Sequence, residues 1–452
     1  MSKPILSKST YIRSLQCLKS LYLYKNYYTQ RDKISVEQQA RFSRGHSVGA
    51  LAHQLFPGGV DASKGVKQRS KDALIKTLDL IQKGEKIIYE ASFQYDDVWV
   101  IADILVNDET GWKVYEVKSS MDISDTFMND AALQYYVISN ALPQIVNAQL
   151  ADFSLVYVNK NYVLQGALDV RRFFLFREMK TFCEEQTDFV KSRLIKAKLT
   201  LDNGKIPAIE TGEHCFNPYP CDYQGTCFKN VSKISTLHLN ETEINSVLQN
   251  HQEKIYVLEF LKSRPAVPMF DGTQPYQNLL FQFSIVDVAV IDNKITQFIS
   301  EDNKNPNSVF IEQLIKQTIE PGIILVNDYE SKCFALQDVA DHYPEYAASL
   351  IIIKQRLKSI ADFFIKDDNS SPTLNEINAY LKLNPFMQKG FVKNKTEATA
   401  AFEEMQMAND LFKNMELSEA LTQFSKDCLN DMIEMINQLR RFISKPVNES
   451  NF

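Results

Sequence analysis

The chain has 452 residues, 44% of them apolar, which suggests two or three domains with ordinary globular cores. Seven cysteines in so long a chain argue against a disulfide framework, and the lack of a leader-like segment or a long apolar run predicts a soluble, cytoplasmic protein without a membrane partner. The net charge of −6 hides an asymmetry: residues 1–232 carry 29 Lys and Arg against 26 Asp and Glu, or +3, whereas residues 233–452 carry 21 against 30, or −9.

The first 40 residues hold seven basic and two acidic side chains, interleaved with Tyr11, Tyr22, Tyr24, Tyr27 and Tyr28. That mixture suits phosphate contact and base stacking. The same stretch reads as an amphipathic helix from about Ser9 to Tyr28, with Leu15, Leu18 and Leu21 facing a core, and both readings can hold on opposite faces. Arg41 to Phe56 reads as a helix stopped by Pro57, Gly58 and Gly59, and Lys64 to Lys83 as a Lys-rich helix ending at Gly84.

Three strands follow, over Tyr89–Phe93, Ile101–Leu105 and Val114–Lys118, separated by the turn signals Asp96-Asp97 and Asn107 to Gly111. A two-residue hairpin loop at Asp96-Asp97 sets Glu90 opposite Asp103. A second turn centred on Glu109 sets Asp103 opposite Tyr115 or Glu116, depending on register. Opposed residues have Cβ atoms roughly 5 Å apart, and Glu116 and Lys118 share a face because strand side chains alternate. Three carboxylates and an amine therefore converge. Crowded carboxylates raise one another's pKa unless a cation lies between them, and hard oxygen ligands suit Mg²⁺ or Mn²⁺. Lys118 beside such an ion would orient or deprotonate a water and stabilise charge on a phosphate. The plainer alternative is a pair of solvent-facing acids with Lys118 as a surface partner.

Ile123 to Asn140 reads as a helix with Asp130 and Gln134 four residues apart on one face. Ala151 to Asn159 reads as a strand, and Val170 to Lys198 as a long helix with a basic end that either tracks a nucleic-acid backbone or is simply solvated. Next come Cys215, Cys221 and Cys227, spaced by five residues each in a Pro- and Gly-containing loop suited to presenting thiols to a metal centre. Zinc sites more often use two-residue spacers; the wider spacing plus the remote Cys17 fits an iron–sulfur cluster better. Four unconnected buried cysteines are the plain alternative. Residues 1–232 form the expected first domain, 233–253 a linker, and 254–452 a second domain with strands at Ile255–Leu261, Leu279–Val290 and Ile323–Asn327 and closing helices over Leu411–Ile443.

Asp103, followed thirteen residues later by Glu116-Val117-Lys118, with Glu90 on the preceding strand and Gln134-Tyr135 on the following helix, resembles the PD-(D/E)XK nuclease superfamily in its RecB-like branch. The resemblance implies a restriction-endonuclease-like α/β core and hydrolysis of DNA, with single-stranded ends the favoured substrate. Asp103, Glu116 and the Val117 carbonyl would bind the metal, Lys118 would assist water attack, and Glu90 and Gln134 would support them. Related nucleases often carry a metal-binding His in a Gly-x-x-Val-His pattern; here Gly45-His46-Ser47-Val48 runs into Gly49, which leaves His46 and His53 as off-register candidates.

The cysteine pattern resembles the iron–sulfur nucleases that include the CRISPR-adaptation exonuclease and the AddB-type repair nuclease. That implies a 4Fe–4S cluster on Cys17, Cys215, Cys221 and Cys227, stapling the ends of the domain together. The second half is similar to the RNase H-like exonuclease module that follows such a nuclease in a family of uncharacterised bacterial proteins. Where two metal-binding acids are expected it has Glu259 and Leu261, and Cys428 falls where a further metal-binding acid belongs. A catalytically dead second domain follows, whose acidity suits a protein partner. A different class stays open: a nucleic-acid-binding scaffold with a structural cluster.

Overall fold

The computed structural model describes residues 6–34, 36–228, 236–249, 253–289, 294–368, 370–384, 391–407 and 410–443. The chain is mixed α/β and divides into two units, Met1–Ser232 and Lys233–Phe452.

The first unit opens with β1 (Leu6–Ser7), α1 (Lys8–Gln16) and α2 (Leu18–Asn26), so the expected N-terminal helix is two, meeting at an extended Cys17. Then come α3 (Val36–Ala52), β2 (Val60–Asp61) and α4 (Lys71–Gln82), the last started by the Ser70 hydroxyl accepting from Ala73 N at 3.2 Å. The strands β3 (Ile87–Tyr95), β4 (Val98–Asp108) and β5 (Gly111–Lys118) form successive antiparallel hairpins. Asp96 and Asp97 both have positive φ, 50° and 56°, the left-handed pair whose twist matches that of the flanking strands. This turn fixes Tyr95 against Val98 and, farther along, Ala91 against Ala102.

From β5 the chain crosses over through α5 (Asp125–Ile145) to β6 (Leu150–Val158), which pairs parallel to β5. β7 (Phe174–Glu178) adds antiparallel to β6 between the short helices α6 (Val170–Phe173) and α7 (Lys180–Glu185), and α8 (Thr187–Asp202) follows. The single helix expected over 170–198 is therefore broken: Phe174, Leu175 and Phe176 have an open sheet edge to pair with, and pairing overrides helical periodicity. The seven-stranded sheet runs β2-β3-β4-β5-β6-β7, with β1 beside the start of β4. One core joins sheet and helices through Phe93, Val100, Val114, Leu133, Val137, Phe153 and Leu194. On β5 buried and partly exposed residues alternate, which puts Glu116 and Lys118 on the same buried face as Trp112 and Val114. The unit closes with a loop whose last turn is α9 (Gln224–Cys227).

In the second unit, part of the expected linker is folded. β8 (Leu237–Leu239) leads into α10 (Glu241–Leu248), which buries Ile244, Val247 and Leu248. A five-stranded sheet follows, built from β9 (Lys254–Ser263), β10 (Leu279–Asp287), β11 (Thr296–Ile299), β12 (Gly322–Val326) and β13 (Leu357–Ser359), in the order β11-β10-β9-β12-β13. β9 runs antiparallel to β10 and parallel to β12; Val290, the expected end of its second strand, lies outside the described residues. Helices α11 (Asn307–Gln317), α12 (Tyr329–His342) and α13 (Ala347–Arg356) precede β14 (Phe364–Lys366), which pairs with β8. α14 (Leu374–Leu381), α15 (Lys395–Met407) and the 33-residue α16 (Leu411–Ile443) finish the unit. Among the described residues no helix is long and apolar enough to cross a membrane.

Candidate active site and cysteine loop

The β4–β5 ladder stops at Ile104 and Tyr115. Beyond it the Asp103 carboxylate accepts a hydrogen bond from Val117 N at 2.7 Å, so a side chain replaces a backbone partner and the two strands part. Glu90, which would face Asp103, has φ +55° and drops out of the β3–β4 pairing. The sheet thus has a notch where Asp103 and Glu116 sit side by side. Burial, and then the Glu116 charge, push the Asp103 carboxyl up to about 8. Burial acts on Glu116 in the same sense, but Lys118 and then Lys8 override it and hold that carboxyl down at about 2. Glu90 is raised by burial and by the nearby Asp61 and Glu116, as expected of an acid at the rim of the same negative site.

Lys118 is 10% exposed, donates to Glu116 Oε1 at 2.7 Å and to Asp130 on α5, and lies 5.3 Å from the centre of the Phe127 ring. Lys8, the first residue of α1, reaches the same Glu116 oxygen at 2.7 Å and stands 3.6 Å from Asp130. Among the described residues the other Glu116 oxygen, Oε2, is buried with no hydrogen-bond partner. A buried carboxylate oxygen left unpaired is costly, and a bound cation would satisfy it. Gln134 is fully buried and donates to Asp130 at 3.3 Å, so its contact with the site runs through Asp130. His53 stacks on Tyr89 at 3.9 Å and His46 is exposed on α3.

The four cysteines of interest, none in a disulfide, line a single cavity together with Lys19, His214 and Tyr223. Cys17 ends α1 and begins α2; burial raises its thiol, while the Ser20 and Lys19 amides of the new helix work the other way. Burial also raises Cys227, whose neighbours include the thiols of Cys221, Cys17 and Cys215. Four thiols from two distant segments around one cavity are a suitable donor set for a cluster or a metal. As they stand, no three His, Cys, Asp or Glu side chains among the described residues are gathered closely enough to hold an ion at either place.

The loop is fastened to α1. Arg13 grips Asp222 with both terminal nitrogens, at 2.5 and 2.9 Å, and Arg31 donates to the same carboxylate. Burial opposes the Asp222 charge, but the two guanidinium groups hold its pKa below the usual range. Gln16 donates to the carbonyls of His214, Asn217 and Tyr219 at 2.9, 3.2 and 2.8 Å. A Cβ at Gly225 would fall 2.5 Å from Asp32 Oδ1, so that carboxylate, which accepts from Gly225 N at 3.1 Å, would have to shift. Arg13 and Arg31, two of the seven basic residues among the first 40, are thus committed to Asp222 and to Tyr24, whose ring lies 4.6 and 6.0 Å from them.

In the second unit Glu259 is fully buried on β9, with Lys332 of α12 at 3.0 Å and Lys395 of α15 at 3.3 Å. Leu261, two residues on, packs into the core, and Cys428 is raised by burial and by the neighbouring Glu259. Two ammonium groups therefore supply the charge balance that a divalent ion would give an acidic site.

Fold and side chains together define a two-unit α/β protein with a carboxylate–ammonium notch and a thiol-lined cavity in its first unit. Residues 256–384, within the second unit, match the family model described as a domain of unknown function (DUF2779). No curated protein matches the chain.

Proposed function

We propose that the first unit is a Mg²⁺- or Mn²⁺-dependent deoxyribonuclease of the PD-(D/E)XK, RecB-like type, with a 4Fe–4S cluster on Cys17, Cys215, Cys221 and Cys227. The second unit we read as a degenerate RNase H-like module. The observation that carries this is the meeting of Asp103, Glu116, Lys118 and Asp130 at the β4–β5 notch, with Glu116 Oε2 unpaired among the described residues.

Asp103, Glu116 and the Val117 carbonyl would hold the ion, which when bound supplies a Lewis acid for the attacking water and the phosphoryl oxygen. Lys118 and Lys8 keep Glu116 ionised and therefore ready as a ligand. Asp103, raised by burial and by Glu116, would have to be deprotonated to serve as a ligand. Lys118 assists attack by fixing Glu116 and Asp130, and Gln134 supports it by fixing Asp130. Glu90 adds negative potential at the rim. Single-stranded DNA ends are the substrate favoured by the resemblance, in repair, mobile-element control or defence. The acidic second unit suits a protein partner.

A second reading, a nucleic-acid-binding scaffold with a structural cluster, draws support from the two lysines that already neutralise Glu116. End-labelled single-stranded DNA with Mn²⁺ and anaerobically purified protein separates the two. The nuclease reading expects cutting by the wild type and none by Glu116→Ala. Cutting by Glu116→Ala overturns it, and a wild type that binds DNA without cutting favours the scaffold.

A further inference from the structure

Two ammonium groups share one oxygen of Glu116, and they are not equivalent. Lys118 spends its donors on Glu116 and Asp130 beneath the Phe127 ring, and its side chain is only 10% exposed. The Lys8 side chain is 33% exposed: one donor goes to Glu116, and its Asp130 contact is a looser 3.6 Å. An incoming anion therefore meets Lys8 before Lys118.

Lys8 is also held rigidly, although it lies near the start of the chain. The strand before it is tied down by Leu6 N donating to Asp97 O at 2.9 Å. Tyr11, one turn along α1, is fully buried, and the far end of the helix is clamped to the cysteine loop by Arg13 and Gln16. A cation whose position is fixed in advance pays little entropy when it contacts a ligand.

We propose that Lys8 is the active-site cation that contacts the phosphate of the substrate, and that Lys118, to which the sequence motif points, is a positioning residue for Glu116 and Asp130. This rests on the nuclease reading only in requiring a phosphate ligand at the notch. The cysteine loop then serves the site at a distance, because Arg13 and Gln16 set where α1 delivers Lys8.

The test uses the full chain with a single-stranded thymidine oligonucleotide of phosphorothioate linkages and Ca²⁺ in place of Mn²⁺. Binding is followed by anisotropy against salt concentration. Each phosphate contact on a single strand contributes roughly 0.7 to the slope of log K against log salt. Lys8→Met is expected to lower the slope by about that amount and Lys8→Arg to restore it, while Lys118→Met leaves it unchanged. With Mn²⁺, Lys8→Met is expected to lower kcat/KM for cleavable DNA by about a hundredfold. A Lys8→Met protein with the wild-type slope overturns the proposal, as does a slope lowered by Lys118→Met instead. If the wild type binds but never cuts, the nuclease reading fails while a slope lowered by Lys8→Met still upholds Lys8. If the wild type cuts and Lys8→Met changes nothing, Lys8 alone fails. Absence of binding by the wild type overturns both.

Discussion

Asp103 gives the most quantitative prediction. Its carboxyl is pushed up to about 8 by burial and by Glu116; a metal ligand must be ionised, so an ion held by Asp103, as we propose, would have to expel the proton. At pH 6.5, roughly 1.5 units below that pKa, the apparent affinity for Mn²⁺ should be about 30-fold weaker than its high-pH plateau, a penalty of about 2 kcal/mol. It should rise about tenfold per pH unit and flatten above roughly pH 8.5. Calorimetric titration with Mn²⁺ in buffers of different ionisation enthalpy should find close to one proton released at pH 6.5 and about half a proton at pH 8. Asp103→Asn should abolish both binding and release. The linkage also fixes the sign for the metal-free protein. A folded pKa above the unfolded value of about 3.9 means that the proton's stabilising contribution is complete below that value, fades as pH climbs, and is lost above about 8. Equal affinity at pH 6.5 and 9 without proton release would refute the reasoning.

Anaerobically purified protein should be coloured and contain about four irons per chain, and a Cys221→Ser variant should lose that colour; one zinc and a colourless protein would contradict the cluster. In the second unit Glu259→Gln should destabilise by about 3 kcal/mol, because it strands the buried Lys332; a denaturant melt of the full chain checks this, and a loss under about 1 kcal/mol would mean the pair is unimportant. Asp97→Gly should stabilise by about 0.5–1 kcal/mol, since glycine accepts the φ of +56° without strain; a lower melting temperature would rule that out.

What the sequence revealed was short in range. The Asp96-Asp97 turn is a local signal, and once it is placed, the alternation of strand residues carries Ala91 to Ala102 without further information. Asp103 and Glu116 lie on consecutive strands joined by a tight turn, so their nearness was legible too. Lys8 was not: its contact with Glu116 spans 108 residues, and nothing in the helical pattern of the N-terminus announces a charged side chain aimed at a distant strand. Asp130 was visible as the partner of Gln134 on a helix face, but its bond to Lys118 depends on how α5 lies on the sheet. Phe174 to Glu178 reads as part of a long helix until β6 offers an edge, and 237–248 reads as a linker until β14 and the core supply partners.

We expect the acids of neighbouring strands to share one divalent ion beside an amine. Crystals soaked in Mn²⁺ and measured at the manganese absorption edge test it without recourse to activity. One anomalous peak is expected at the β4–β5 notch, about 2.1 Å from carboxylate oxygens of both Asp103 and Glu116. A peak elsewhere in the first unit, or none at saturating Mn²⁺, would contradict it.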